Sequence, residues 1–204
     1  PDGTRIVAES GRHDAGHSLV LLDRRGRRIG ALQDSLGYIR PVWSPDGRFI
    51  FAIKYDLGSS VTRWDAAGTN KTNVRVTGGS ESERAFQMIS FSPSGARVAL
   101  LTMHFREMVI ASVEGTRLAA LTTAPRDFSY VSESAWRDED HLLFVGKRTE
   151  RLGELWQLTI SDGAVTKLGI DGLSLRDQLA LSPDRESVVV TAVAGYLLGS
   201  IPVA

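Results

Sequence analysis

The side chains that could do chemistry are few and scattered in this chain. His13 and His17 flank Asp14 at a spacing of four residues, the only grouping that suggests metal ligands. That spacing places two imidazoles on one face only in a helix. Gly16 lies inside the segment and indicates a hairpin tip instead. We therefore expect a solvated tip at 11–17 and no metal site.

No candidate nucleophile is paired with a base in the sequence. Cysteine is absent, and so is a Gly-x-Ser-x-Gly segment. His141 takes the first position of a predicted strand, which favours a structural role. Two carboxylate pairs lie in predicted loops, without the apolar surroundings that raise a carboxyl pKa for acid–base catalysis. They are Glu81/Glu83 and Glu139/Asp140. The sequence therefore predicts a protein that is not an enzyme and needs no cofactor.

The net charge and the lack of cysteine exclude further kinds of partner and site. Lysine plus arginine and aspartate plus glutamate both number 24, so the net charge of the 204 residues is zero. A nucleic-acid binder needs a surplus of cations to contact phosphates, so no nucleic-acid partner is expected. The lack of cysteine also excludes disulfides and thiolate metal sites.

One turn recurs along the chain at nearly constant spacing. Pro45-Asp46-Gly47 is its fullest form, in which proline fixes φ and glycine accepts an unusual backbone angle. The equivalent positions are residues 1, 45, 93, 138 and 183, at intervals of 44, 48, 45 and 45. A fixed period of about 40–50 residues is typical of repeat architectures.

Each repeat reads as four short strands separated by polar turns. In the second repeat the strands are predicted at 38–43, 48–53, 60–64 and 73–76, rich in β-branched and aromatic residues. No stretch of ten or more residues shows sustained helical periodicity with caps. Four antiparallel strands, repeated every ~45 residues, predict an all-β fold of the β-propeller type.

The repeats together predict a single propeller domain of about five four-stranded blades. They cover 1–37, 38–86, 87–131, 132–176 and 177–204. The first repeat lacks its first strand and the last lacks its fourth, so eighteen strands are expected. The two incomplete repeats do not complement each other, which leaves two alternatives: part of a larger propeller, or an open arc. An open arc exposes sheet edges and apolar faces, and so favours self-association.

The last eighteen residues carry no charge and reach the lower limit for a membrane-spanning helix. The segment 187–204 contains Gly195, Gly199 and Pro202 among many β-branched residues, and it falls where the repeat requires two strands. A pair of strands is therefore the prediction, with no membrane span.

The turn and the strand after it resemble the TolB-like, PD40-type (WD40-like) propeller repeat. The match is full at 43–47, close at 92–95 and partial at 182–184, whereas 137–140 has lost both proline and glycine. The resemblance implies the propeller fold and a periplasmic or extracytoplasmic location. It also implies one of several uses: a platform that binds proteins or peptides, a carrier of surface loops, or the substrate-gating domain of a serine peptidase.

Propeller topology places the connections between blades on the same face as the tips between second and third strands. We call this the loop face; it comprises 11–17, 33–37, 55–59, 78–86, 104–107, 123–131, 147–153 and 169–176. Arginine and aromatic residues, which dominate interfaces, lie here near the innermost strands. The predicted binding residues are Tyr38, Arg40, Arg84, Phe86, Arg126, Phe128, Tyr130 and Arg176. For Phe86 and Phe128, packing between blades is the alternative.

The intact repeat without catalytic signatures predicts a scaffold that binds a protein or peptide partner at the loop face and channel mouth. One alternative is a substrate-gating propeller domain of a serine peptidase whose hydrolase domain is absent from this chain. Another is a sensor that binds a carbohydrate or small ligand in the central channel, which predicts thermal stabilisation by that ligand.

Overall fold

Short strands joined by tight turns make up the structure, a computed structural model that describes residues 1–12, 16–55, 60–78, 85–125, 127–148, 153–169, 174–192 and 198–202. Eighteen strands run through these residues, and consecutive strands within each repeat pair antiparallel. The predicted all-β propeller fold is confirmed.

The strands group into five units of three or four strands, which we number as blades 1 to 5. Blade 1 contains β1 (Arg5–Arg12), β2 (Gly16–Asp23) and β3 (Arg28–Ala31). Blade 2 contains β4 (Tyr38–Trp43), β5 (Phe49–Lys54), β6 (Val61–Asp65) and β7 (Thr72–Thr77). Blade 3 contains β8 (Phe86–Phe91), β9 (Arg97–Thr102), β10 (Met108–Glu114) and β11 (Arg117–Ala124). Blade 4 contains β12 (Tyr130–Trp136), β13 (His141–Lys147), β14 (Glu154–Thr159) and β15 (Val165–Leu168). Blade 5 contains β16 (Leu175–Leu181), β17 (Ser187–Ala192) and β18 (Leu198–Pro202).

The recurring turn is held by its own side chains. In blade 2 the Asp46 carboxylate accepts hydrogen bonds from the Ser44 hydroxyl at 2.6 Å and the Arg48 backbone N–H at 3.0 Å. Gly47 has φ of 70°, the left-handed region that glycine adopts without strain. Burial raises the pKa of Asp46, but these hydrogen bonds and the Arg48 guanidinium outweigh it and lower the pKa to about 2.

Apolar side chains from consecutive blades meet in four clusters. Between blades 1 and 2, Ile50 packs with Leu19 and Leu21, and all three are buried. The residues equivalent to Ile50 are buried at the other three interfaces. They are Val98 between blades 2 and 3, Leu142 between blades 3 and 4, and Val188 between blades 4 and 5. Sheet faces that meet a neighbouring blade are thus buried against it, as expected for a repeat architecture.

Blades 2 and 3 are also joined through their backbones. The outermost strands β7 and β11 pair in parallel, with Arg75 opposite Arg117 and Val76 opposite Leu118, so the two blades form one eight-stranded sheet. The sequence pattern did not predict this ladder. This ladder covers one edge of β7 and one edge of β11. Exposed strand edges are sites of unwanted pairing in other proteins.

The innermost strands converge on a central channel. The hydroxyls of Ser90 on β8 and Ser134 on β12 lie 3.0 Å apart, and Arg40 on β4 reaches Glu133 on β12 at 2.9 Å. The side chains that make these two contacts between inner strands are all polar.

The uncharged segment at the end of the chain forms the predicted pair of strands. β17 and β18 pair antiparallel, with Val188 opposite Ile201 and Val190 opposite Gly199. Among the described residues, no helix has the length and apolar character needed to cross a membrane.

Candidate binding face

Arg40 lies where the inner strand of blade 2 is irregular. The pairing of β4 with β5 shifts register between Ile39 and Val42, and Arg40 has φ of +55°, which is uncommon for a residue with a side chain. Its backbone N–H donates to the Glu9 carboxylate at 2.6 Å, and its guanidinium donates to Glu133 at 2.9 Å. This predicted binding residue therefore connects the inner strands of blades 2 and 4, and its side chain is 47% exposed.

Tyr130 forms an aromatic pair with Phe105, which lies on the tip between β9 and β10. The two rings stack with centroids 5.7 Å apart and planes inclined by 17°. The Val131 backbone N–H donates to the Phe105 carbonyl oxygen, which joins the tip to β12. The Lys147 ammonium group lies 5.2 Å from the centre of the Tyr130 ring. Both aromatic side chains are partly exposed.

Phe105 was not among the residues predicted from the sequence. Its signal is an aromatic residue flanked by exposed polar ones, His104 and Arg106, on a hairpin tip. Its φ is +53°, a conformation that strains a bulky residue and that clusters at functional sites. The hydrogen bond to Val131 and the ring stacking hold it in place.

A cavity of about 510 Å³ opens beside this tip. Its described lining residues are Thr102, His104, Arg106 and Glu107. The volume lies in the range of pockets that hold small ligands. The lining offers a cation, a carboxylate and two further hydrogen-bonding side chains, so a polar or charged group could be oriented here.

A second groove lies between blades 3 and 4, where a cation covers two aromatic rings. The Arg148 guanidinium lies 4.5 Å from the centre of the Trp156 ring and 5.0 Å from that of Phe128. The groove has a volume of about 280 Å³, and the Thr123 and Asp127 side chains line it as well. Its polar groups also belong to the loop face.

Three of the predicted binding residues pack inside the protein. Tyr38 is 3% exposed and meets Trp64 edge-to-face at 5.0 Å. Phe86 is buried between blades 2 and 3, and Phe128 between blades 3 and 4. Packing between blades, the alternative for Phe86 and Phe128, accounts for these positions.

The remaining predicted residues are distributed differently. Arg176 is exposed at the start of β16 in blade 5, whereas Phe105 and Tyr130 belong to blades 3 and 4. Arg84 and Arg126 lie outside the described residues. The structure therefore brings Tyr130 to the tip of blade 3 and Arg40 to the channel, and a binding role for the whole set stays a prediction.

His141 and Glu139, two of the residues considered for catalysis, make contacts within the structure. The Asp138 carboxylate accepts hydrogen bonds from the His141 backbone N–H and from its imidazole Nδ1, both at 2.8 Å. A carboxylate can only accept, so Nδ1 carries the proton. Burial raises the pKa of Glu139, but the Ser94 backbone N–H and neighbouring groups outweigh it and lower the pKa. A lowered pKa keeps this carboxyl ionised, which does not suit a general acid.

The candidate metal and carboxylate segments are only partly described. His17 lies 3.8 Å from Glu9 on the neighbouring strand. His13, Asp14, Glu81 and Glu83 lie outside the described residues. In the part of the chain that the structure describes, no three His, Asp or Glu side chains come together as metal ligands.

Comparisons with known proteins show the fold. No family model matches the sequence, and no curated protein does so. Among solved structures, TolB from Acinetobacter baumannii superimposes with a TM-score of 0.68 at 14% identity, over 99% of this chain and 54% of TolB. Oligogalacturonate lyase from Vibrio parahaemolyticus gives 0.68 and 14%, over 94% of this chain and 56% of the lyase. The C-terminal WD40 domain of Sif2 gives 0.59 and 12%, over 96% and 66%.

These likenesses show the β-propeller fold, which this chain shares with TolB, the lyase and the WD40 domain. The chain spans little more than half the length of the TolB and lyase structures, and two thirds of the WD40 domain. At these identities the likeness establishes architecture, and function has to be argued from the site.

Proposed function

We propose that this chain is a non-catalytic propeller scaffold that binds a protein or peptide partner through its loop face and channel mouth. The observation that carries the proposal is the stacked Phe105–Tyr130 pair, which is partly exposed although most large apolar side chains of blades 3 and 4 are buried. Aromatic residues dominate the binding energy of interfaces.

The surroundings of the pair fit a polypeptide ligand. The neighbouring cavity presents the Arg106 cation and the Glu107 carboxylate, which can orient a charged or polar side chain. The Lys147 ammonium group lies against the Tyr130 ring, and both residues belong to blade 4. An aromatic anchor beside groups of both signs is typical of interfaces with a small apolar centre and a polar rim.

A peptide library displayed on phage tests the proposal. The wild-type chain should enrich a defined motif, and Phe105→Ala should weaken binding of the selected peptide at least tenfold because the anchor is lost. Arg106→Ala should weaken it less. Arg24→Ala, an exposed arginine on the turn between β2 and β3 at the opposite face, is the matched control and should leave the affinity within twofold.

Two outcomes would contradict the proposal. One is that no motif is enriched over the background of the support. The other is that Arg24→Ala and Arg106→Ala weaken binding equally, because binding would then not involve the loop face.

A further inference from the structure

The groove between blades 3 and 4 holds two opposite charges that do not pair with each other. Arg148 follows β13, and Asp127 lies on the connection between β11 and β12. Both are exposed, and both line the groove of about 280 Å³. Neither side chain forms a hydrogen bond or an ion pair with any residue that the structure describes. A cation and a carboxylate are therefore both available to a ligand in one groove.

Aromatic rings hold the cation in place. The Arg148 guanidinium lies over the rings of Trp156 and Phe128, which meet edge-to-face with centroids 5.1 Å apart. The Trp156 indole N–H donates to the Gly146 carbonyl oxygen at 3.3 Å, which fixes this ring. Stacking on a ring uses the face of a guanidinium and leaves the N–H donors in its plane free for a carboxylate. Arg148 is thus oriented before a ligand arrives, which lowers the entropy lost on binding.

Other arginines that reach a neighbouring blade already have acceptors. The Arg97 guanidinium donates to the Glu139 carbonyl oxygen at 2.8 Å, and the Arg185 guanidinium donates to the Trp136 carbonyl oxygen at 3.1 Å. Arg148 also bridges two blades, through the Phe128 and Trp156 rings, but none of its donors is used within the described residues. Its position therefore suits an acceptor that comes from a ligand.

The remaining walls of the groove indicate the size and character of this ligand. Thr122 and Thr123 at the end of β11 can supply hydroxyl groups, and Pro125 and Val165 supply apolar surface. Pockets for drug-sized ligands measure roughly 300–1,000 Å³, so a groove of about 280 Å³ fits a smaller molecule. A small molecule with a short aliphatic part matches these walls.

We propose that this groove binds a free α-amino acid with a short aliphatic side chain. The ligand carboxylate accepts hydrogen bonds from the Arg148 guanidinium, its ammonium group donates to the Asp127 carboxylate, and its side chain lies against Val165. Asp127 repels an acid that lacks the ammonium group, and Arg148 repels an amine that lacks the carboxylate, so the two charges together select a zwitterion. Phe105 and Tyr130 are not among the described lining residues, so the inference does not depend on the function proposed above.

Three ligands with one carbon skeleton test the inference: L-valine, isovalerate, which lacks the ammonium group, and isobutylamine, which lacks the carboxylate. The chain has four tryptophans, so ¹⁵N labelling of the indoles gives four signals, and Trp156→Phe identifies that of Trp156. Titration with L-valine to about 10 mM should shift the Trp156 signal saturably, with a dissociation constant on the order of 1 mM. The acid and the amine should bind at least about tenfold more weakly, because each lacks one charged hydrogen-bonding group.

Two substitutions identify the charges that select the ligand. Arg148→Gln should remove L-valine binding at these concentrations. Asp127→Asn should weaken L-valine binding at least about fivefold and strengthen isovalerate binding, because the repulsion is lost. A damaged fold would not exchange the preference in this way. Arg24→Gln and Glu186→Gln change exposed residues far from the groove in sequence and are the matched controls, which should leave the affinity for L-valine within about twofold.

Three results would overturn the inference. The first is that none of glycine, L-alanine and L-valine shifts the Trp156 signal of the wild-type chain. The second is that isovalerate binds the wild-type chain as tightly as L-valine does. The third is that Asp127→Asn leaves the preference for L-valine unchanged. Phage selection with Phe105→Ala reads out a different part of the loop face, so either proposal can fail without the other.

Discussion

Blades 1 and 2 carry the same repeat, yet equivalent residues have different surroundings in the two blades. Ile50 in blade 2 is 0% exposed, whereas Ile6, at the same distance from its turn, is 47% exposed. Ile50 has a preceding blade to pack against and Ile6 has none in the described residues. The repeat therefore specifies an apolar face, and burial of that face depends on the neighbouring blade.

The turns of the two blades show the same contrast. Asp46 accepts a hydrogen bond from the Ser44 hydroxyl, which is contributed by the residue following β4. Asp2, the equivalent residue in blade 1, accepts hydrogen bonds only from Thr4 among the described residues. In the described residues the Asp46 turn therefore has one hydrogen bond, from the Ser44 hydroxyl, that the Asp2 turn does not have.

The largest expected effect separates the two isoleucines. Ile50→Ala should lower the free energy of unfolding by about 2–5 kcal/mol, because it leaves a cavity between blades. Ile6→Ala should lower it by about 1 kcal/mol or less, because its side chain is half exposed. Urea denaturation followed by tryptophan fluorescence measures both. Equal losses would mean that the face of Ile6 is covered in solution.

Trp43 and Trp136, which end β4 and β12, give the next largest difference. Trp136→Phe removes the hydrogen bond to the Ser90 carbonyl oxygen, and we expect a loss of about 1 kcal/mol in addition to the change in packing. Trp43→Phe removes a donor that has no partner among the described residues, so its effect should be about 1 kcal/mol smaller. Thermal unfolding of the two variants tests this prediction. The comparison fails if Trp43→Phe is the more damaging change.

A smaller effect is expected at the channel. The Arg40–Glu133 pair joins blades 2 and 4 but is partly exposed, so a double-mutant cycle with Arg40→Ala and Glu133→Ala should give a coupling energy of about 0.5–1 kcal/mol. Arg176→Ala in blade 5 removes an exposed side chain and serves as the control. If the coupling energy between Arg176 and Glu133 were as large as that between Arg40 and Glu133, the Arg40–Glu133 ion pair would not be a specific interaction.

The smallest effect depends on pH. The pKa of Asp46 is lowered from 3.8 to about 2, so its contribution to stability is present above pH 3.8 and is lost as the pH falls towards 2. Asp46→Asn should therefore reduce the fall in the urea midpoint between about pH 5 and pH 2.5. Asp2→Asn should reduce it less. An equal reduction by both variants would show that the Ser44 hydroxyl contributes nothing.

Most of the fold could be predicted from the sequence, because its signals are local. The predicted strands 38–43 and 154–159 match β4 and β14 in the structure. The parallel pairing of β7 with β11 could not be predicted, since Arg75 and Arg117 are 42 positions apart in the sequence and no turn connects them.

The candidate site was less predictable for a physical reason. Aromatic residues at strand starts serve either interfaces or packing between blades, and composition does not distinguish the two uses. Tyr38 and Phe86 are buried, whereas Tyr130 stacks on Phe105 and remains partly exposed. The position of Phe105 depends on its backbone angle and on the Val131 hydrogen bond, neither of which has a sequence motif.

The β7–β11 ladder also has a mechanical consequence. In the described residues a continuous backbone ladder joins blades 2 and 3, whereas packed side chains and isolated hydrogen bonds join blade 1 to blade 2, blade 3 to blade 4 and blade 4 to blade 5. Packed side chains can slide and tilt against each other, but a ladder resists shear along its whole length. We therefore expect relative movement between blades on either side of the paired blades 2 and 3 rather than between them, and a bound ligand or an applied force should change the spacing of the blades there.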